Sequence, residues 1–348
     1  MSTTDVQTKT GGRSVREILA WSRAIIQPAL RAAIGMLPAS MLRIAGYHFG
    51  WWNEHGHRET AHGGKAIRPT LVLLSAQAVG GLPATAVPAA VAVELVHNFS
   101  LLHDDVMDAD PTRRHRPTAW RVFGVNSAIL AGDALLTLAL DVLAASAHPA
   151  ATAGIRMLSA AVQNLLDGQS ADLALAHRAQ AEVAPCLRMA ENKTAALMGC
   201  ACALGASFGG GSHEQLQHLR AFGTHLGVAF QHVDDLLGIW GDPAVTGKPV
   251  YSDLRSRKKS LPVVAALTST TPAGRDLAAL YHRAAPLSET EAARAAELID
   301  TAGGRAWSQS QAEELLAQAL RELQSAHPTQ RSAEELNALA RLVTHRDH

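Results

Sequence analysis

The sequence predicts an all-α protein, and three observations carry that expectation. Alanine and leucine dominate, and β-branched residues seldom alternate with polar ones. Apolar residues recur at three- and four-residue spacing over long stretches, the period of a helix face. Breakers such as Gly80-Gly81, Gly209-Gly210-Gly211 and Thr271-Pro272 confine the interruptions to short loops. In chain order, this periodicity places helices over 15–34, 38–52, 66–80, 85–108, 125–147, 151–176, 180–206, 213–240, 258–269, 273–284, 288–301, 306–325 and 332–344. Two polar stretches, Asn53–Gly64 and Gly241–Ser256, read as mobile loops. No strand signal, linker or fixed-period repeat is visible, so one helical domain over 15–345 is expected, a bundle around a central cavity. The polar segment 1–14 has no apolar signal-peptide core and is expected to be a disordered tail.

Composition narrows the function classes. The 348 residues carry 31 basic and 31 acidic side chains, a formal net charge of zero. That balance argues against binding nucleic acid over a broad face, which needs an excess of Lys and Arg. A hydrophobic fraction of 47% excludes a disordered regulator, because such a chain can build a core. Three cysteines without CxxC spacing indicate neither a zinc site nor a disulfide framework, and favour a reducing, cytoplasmic setting. No uninterrupted apolar run of eighteen residues is found, so no membrane span is expected. An anionic ligand must therefore be held locally.

The chemistry concentrates at two helix ends. In Leu101-Leu102-His103-Asp104-Asp105-Val106-Met107-Asp108, a turn of about 100° per residue puts Asp104 and Asp108 on one face, one turn apart. Two carboxylates there repel each other and oppose the negative helix C-terminus, which is costly unless a cation joins them. Oxygen ligands imply a hard ion, and Mg²⁺ commonly shares its shell between carboxylates and substrate phosphates. A second acidic end occurs in Phe230-Gln231-His232-Val233-Asp234-Asp235-Leu236-Leu237-Gly238, where glycine holds the fifth position of the motif. Two such ends facing each other would clamp a diphosphate through metal ions. Cations accompany them. Lys65 and Arg68 open a helix after Gly63-Gly64, a pattern suited to phosphate. Lys193-Thr194 interrupts an apolar helix, where a lysine either reaches solvent or has a polar task. Gly247-Lys248-Pro249 and Arg255–Lys259 add positive charge beside the second acidic end, and Gln169 and Asp172 form a polar pair on another helix.

Taken together and in order, these residues resemble the trans-isoprenyl diphosphate synthases, the family of farnesyl and geranylgeranyl diphosphate synthases. The resemblance is carried by Gly64-Lys65, Arg68-Pro69, His97, Asp104–Asp108, Arg113-Arg114, Gln169, Asp172, Lys193-Thr194, Phe230-Gln231, Asp234-Asp235, Gly247-Lys248-Pro249, Ser252-Asp253-Leu254 and Lys258, over about residues 35–265. It implies an isoprenoid-synthase-type helix bundle and a homodimer. The implied reaction joins an allylic diphosphate (dimethylallyl, geranyl or farnesyl) to isopentenyl diphosphate and releases diphosphate. On the resemblance, Asp104, Asp105, Asp108 and Asp234 hold Mg²⁺. Arg113, Lys193 and Lys248 contact the allylic diphosphate, with Lys258 closing over it. Lys65, Arg68, His97 and Arg114 form the isopentenyl pocket. Gln169 lies in the substrate region, and Thr194 and Gln231 orient the allylic group.

Phe99 and Ser100, five and four positions before Asp104, are the expected chain-length determinants. An aromatic only at the fifth position looks like the short-chain pattern ending near geranylgeranyl diphosphate, although Phe99 also reads as ordinary core. The residues leave a farnesyl or longer product open. Gly238 admits weakened metal binding, or a non-catalytic subunit that modulates a synthase. A class I terpene cyclase would carry an NDxxSxxxE-type stretch, and none occurs.

Overall fold

In a computed structural model that describes residues 12–59, 64–177, 182–243, 249–281, 283 and 287–344, the chain folds as expected into helices. They are α1 (Val15–Ile34), α2 (Ala39–His48), α3 (Ile67–Ala78), α4 (Val87–Met107), α5 (Ala119–Phe123), α6 (Val125–Ala145), α7 (Ala151–His177), α8 (Val183–Ala190) and α9 (Ala196–Phe208). α10 (His213–Trp240), α11 (Ser252–Arg255), α12 (Leu261–Leu267), α13 (Pro272–Tyr281), α14 (Glu289–Thr301), α15 (Gly304–Ser325) and α16 (Gln330–Thr344) complete the order. Serine caps set three starts. Ser14, Ser212 and Ser288 each accept from the N–H three residues on, while Glu17, Gln215 and Glu291 bond back to the cap N–H.

The sequence reading misses several local features, among them the short helices α5 and α11, the second of which lies inside the stretch 241–256 expected to be a mobile loop. The expected helix 38–52 stops at His48, because Gly50 turns into positive φ and an aromatic turn of Phe49, Trp51 and Trp52 follows. A two-stranded hairpin, β1 (Thr112–Arg113) with β2 (Arg116–Pro117), stands where no strand was expected. Its turn residues Arg114 and His115 both hold positive φ, at 52° and 62°. Tight hairpins need that backbone but normally obtain it from Asn and Gly, so Arg-His gives no turn signal. The expected helix 180–206 is split by a π-helical turn, Glu191–Ala195, between α8 and α9.

The core centres on α4 and α9. Along α4, Ala89, Ala92, Val93, Leu95 and Val96 are fully enclosed, and almost every side chain of α9 is buried. Two helices bear on the expectation of no membrane span. The helices Pro83–Met107 and Val125–Ala145 are each long and apolar enough to cross a bilayer by length and composition. The first lies in the core; the second leaves Val125, Ile129 and Leu130 exposed.

Part of the expected tail is also ordered. Arg13 donates to Glu335 at 2.6 and 2.8 Å, and its guanidinium lies 3.7 Å from the Trp21 ring centroid. Glu335 is 1% exposed and also accepts from Arg331 at 3.0 Å. Burial alone would raise its carboxyl, but Arg13 and Arg331 outweigh burial and hold it below the ordinary value of 4.5. A carboxylate so depressed stabilises the fold above its unfolded pKa and loses that contribution as pH falls through the folded value. Glu335→Gln is expected to cost about 2 kcal/mol at pH 7. Melting curves at pH 7 and below 4.5 should show that penalty shrinking as the wild type also loses the ion pair.

Candidate active site

The last turns of α4 separate the three aspartates by their angles. Asp104 and Asp108 lie one turn apart, and the Asp108 N–H donates to the Asp104 carbonyl at 2.8 Å. Partial burial and the neighbouring Asp104 raise the Asp108 carboxyl, while Lys193 opposes the shift. Asp104 meets Lys193 Nζ at 3.1 Å and Arg113 Nη2 at 3.9 Å. Asp105 points elsewhere. It is 1% exposed and accepts from Arg113 Nε at 2.7 Å. Burial pushes its carboxyl up to about 6 against the pull of Arg113. Asp105, expected among the metal ligands, is turned inward as the anchor of Arg113, because consecutive helix residues differ by about 100°.

The second acidic end repeats this division. Asp234 is exposed, whereas Asp235 is 3% exposed. Asp235 accepts from the Leu261 N–H at 2.9 Å and from Gln231 Nε2 at 2.8 Å, with Lys258 Nζ 3.8 Å away. Burial raises the Asp235 carboxyl; Asp235 and Asp253 together hold the Lys258 ammonium above its ordinary value despite burial. At each helix end the second aspartate of the pair is buried against the protein, and the first is more accessible: Asp104 is half-buried and Asp234 exposed.

The π turn joins the two ends. A π turn inserts one extra residue into a helix and changes the direction of its side chains. Here Lys193 is held between Asp104, at 3.1 Å, and Asp172, at 2.6 Å, so it does not simply reach solvent. Burial would lower its ammonium, but the two carboxylates keep it raised. The next residue, Thr194, donates to Gln231 Oε1 at 2.7 Å, and Gln231 continues to Asp235. A Cβ on Gly168 would lie 2.3 Å from the Lys193 backbone nitrogen, so glycine is needed where α7 crosses the turn. Gln169, buried beside it, approaches Met107 Sδ at 4.0 Å.

A separate cationic group lies between α3, α4 and the hairpin. Arg68 Nη1 is 3.4 Å from His97 Nε2. Burial, then Arg68 and Arg114, hold His97 well below its ordinary pKa, so its ring is neutral. Burial also lowers Arg68 and Arg114, opposed by Glu94, yet a guanidinium stays charged. Lys65 is exposed just before α3. Glu94 was missed in the sequence, although a lone acid within Val91–Val96 is its signal. Burial raises its carboxyl, and Asn98 Nδ2 donates to it at 3.1 Å. Phe99 is buried with its ring 4.8 Å from that of His103, and Ser100 donates to the His97 carbonyl at 2.8 Å. The expected site residue Lys248 lies outside the described residues.

Two cation-lined acidic helix ends beside a second cationic pocket suit a pair of diphosphates, and the comparisons agree. The polyprenyl synthetase family pattern matches residues 50–299. The chain belongs to the polyprenyl synthetase family. It is 45% identical over 337 residues to a (2E,6E)-farnesyl diphosphate synthase of Mycobacterium tuberculosis, covering 96% of this chain and 94% of the relative. It is 44% identical over 333 residues to a geranylgeranyl diphosphate synthase of the same species, covering 95% and 94%. Among solved structures, a polyprenyl synthetase from Streptomyces coelicolor A3(2) superposes with a TM-score of 0.91 at 46% identity, covering 94% of this chain and 99% of that one. A geranylgeranyl pyrophosphate synthase from Corynebacterium glutamicum, complexed with isoprenyl diphosphate and magnesium, gives 0.82 at 26% identity, covering 96% and 100%. This polyprenyl synthetase is a short-chain trans-prenyl diphosphate synthase, a transferase acting on isopentenyl and allylic diphosphates with a divalent metal.

The donor set fits such an ion. Asp104 and Asp108 offer carboxylate oxygens one turn apart, and burial together with their mutual repulsion raises Asp108. Among the described residues, no three His, Cys, Asp or Glu side chains converge into a cage. A hard divalent cation held there would draw its remaining ligands from water and substrate phosphate.

Proposed function

We propose that this polyprenyl synthetase makes geranylgeranyl diphosphate (C20) with Mg²⁺, as a cytoplasmic homodimer. The observation that carries the reading is the continuous polar chain joining the acidic ends: Arg113, Asp104, Lys193 and Asp172 on one side, Thr194, Gln231, Asp235 and Lys258 on the other. Asp104, Asp108 and Asp234 would hold the metal, which when bound would stabilise the charge that develops on the departing diphosphate. Arg113, Lys193, Lys248 and Lys258 grip the allylic diphosphate, and Asp105 and Asp235 position two of them. Thr194 and Gln231 orient the allylic group. Lys65, Arg68, neutral His97 and Arg114 hold isopentenyl diphosphate at the pocket that needs no metal. The carbocation left by the allylic C–O cleavage meets the isopentenyl double bond in an enclosed apolar site before water does. The released diphosphate takes the final proton, so no side-chain base is required.

Phe99 supports the product length, being a bulky ring below Asp104, whereas Ser100 on the Asp104 face is small. Phe99→Ala is expected to shift the main product by at least one isoprene unit. Chromatography of products made from farnesyl and isopentenyl diphosphates checks it, and unchanged length overturns the assignment. A modulating subunit is disfavoured, because it has no use for the Arg68–His97–Arg114 group. Three buried free cysteines, two of them with thiols pushed up to about 12 by burial, suit a reducing cytoplasm. The exposed apolar face of α6, with Leu130 56% and Ile129 37% exposed, supports the dimer. Light scattering should give twice the chain mass, and Leu130→Glu should shift it toward one.

A further inference from the structure

The hairpin after the first acidic end carries Arg113, Arg114 and Arg116, and their side chains have different tasks. Arg113 and Arg116 are partners across the two strands, and Arg114 and His115 form the turn between them, both at positive φ. Neither turn residue is glycine, so nothing local favours that backbone, and it persists only where surrounding contacts hold it. Arg113 returns to the acidic end, with Nε 2.7 Å from Asp105 and Nη2 3.9 Å from Asp104. Arg114 reaches toward the start of α3, where a Cβ built on Gly64 would lie 2.7 Å from its Nη2. Arg116 is engaged with the protein itself. Its Nη1 donates to the Tyr47 carbonyl at 3.0 Å, and its Nη2 donates to the Trp52 carbonyl at 3.0 Å and pairs with Glu59 at 3.0 Å. Its guanidinium also lies 4.4 Å from the centroid of the Tyr47 ring. The buried Tyr47 completes the tie, its hydroxyl donating to the Pro117 carbonyl at 2.8 Å. A planar fork on two carbonyls fixes the direction of its strand as well as its place.

We infer that Arg116, together with the Tyr47 hydroxyl, is a positioning residue for both diphosphate pockets: by tying the hairpin to the end of α2 it holds the turn at 114 and 115 in its left-handed backbone, and so aims Arg113 at one pocket and Arg114 at the other. Without the tie the turn relaxes toward ordinary φ. Arg113 and Arg114 adjoin in the chain and leave it toward different pockets, so one relaxation misplaces both. A residue that touched a single substrate would disturb a single pocket. Glycine at 115 adopts positive φ without a steric penalty, and it therefore lessens the need for the tie. The inference rests on the reading that Arg113 grips the allylic diphosphate and Arg114 the isopentenyl diphosphate.

The test compares wild type, Arg116→Gln, Tyr47→Phe, His115→Gly and the combined His115→Gly/Arg116→Gln in the full chain, each checked by circular dichroism and a melting curve. KM for each diphosphate and kcat are the readouts. Arg116→Gln is expected to raise both KM values by about tenfold with kcat changed less than about threefold, and Tyr47→Phe to raise both by about threefold. His115→Gly alone should stay near wild type, and the combined variant should return both KM values to within about threefold of it. An Arg116→Gln variant that raises KM for one substrate only, or for neither, overturns the inference, as does a combined variant no better than Arg116→Gln. A fold-only role would lower the melting temperature of Arg116→Gln with both KM values unmoved, and that result also overturns it. If Arg116→Gln does not fold, Tyr47→Phe with and without His115→Gly carries the same comparison. Arg113→Gln and Arg114→Gln separate the two kinds of failure: the first should raise KM for the allylic substrate only and the second for isopentenyl diphosphate only. If they do not, the reading of the pockets fails, whatever residue 116 does.

Discussion

Asp104→Asn is expected to lower kcat by about 10³-fold or more, the scale seen when a preorganised charge is removed from a reacting phosphate group. The substitution keeps the shape of the side chain but removes the charge that Lys193 faces at 3.1 Å and that the proposed metal shares with Asp108. Lys193 then leans on Asp172 alone, at 2.6 Å. The loss should be little relieved by raising Mg²⁺, because one ligand of a two-carboxylate grip is gone. Asp105→Asn makes the informative contrast. Asp105 anchors Arg113 at 2.7 Å, so its replacement should raise KM for the allylic diphosphate more than it lowers kcat. Steady-state kinetics over a Mg²⁺ titration distinguish the two. Equal losses at 104 and 105 would overturn the division between a more accessible and a buried aspartate.

Arg68→Gln is expected to lower kcat/KM for isopentenyl diphosphate by about 10²-fold, the cost of losing charge-assisted hydrogen bonds in a desolvated pocket. Arg68 is drawn into the protein beside His97 and Glu94, and burial lowers its pKa without discharging it. Water replaces such a cation poorly there. The allylic side should be spared, since Arg113 and Lys193 belong to the other group. Calorimetry with a non-hydrolysable allylic thiodiphosphate should give unchanged affinity, while that for isopentenyl diphosphate collapses. A subunit without catalytic function would show no dependence of turnover on residue 68.

The ease of reading the chain varied with the range of the interactions concerned. Helix starts at Ser14, Ser212 and Ser288 are local events, each settled by a side chain three residues away, and the sequence locates them within a residue. The faces of α4 were equally legible, because 3.6-residue geometry alone puts Asp104 over Asp108. The hairpin was not, since Arg114 and His115 adopt a left-handed backbone that their side chains do not favour. Surrounding structure must hold it, as strained backbone at functional sites usually requires. Nor was the π turn, where Glu191–Ala195 reads as ordinary helix and only the crossing of α7 at Gly168 reveals the inserted residue.

The sequence by itself thus determined the helices, the two acidic ends and the inventory of cations. It could do so because those properties depend on residues within a turn or two of one another. Only the tertiary structure decided which aspartate of each pair is the more accessible, that Lys193 bridges Asp104 to Asp172, that Thr194 reaches Gln231, and that Arg116 reaches back to the Tyr47 carbonyl. These last contacts join different helices or a helix and the hairpin, at sequence separations from 21 to 89, so packing and not periodicity brings the partners together.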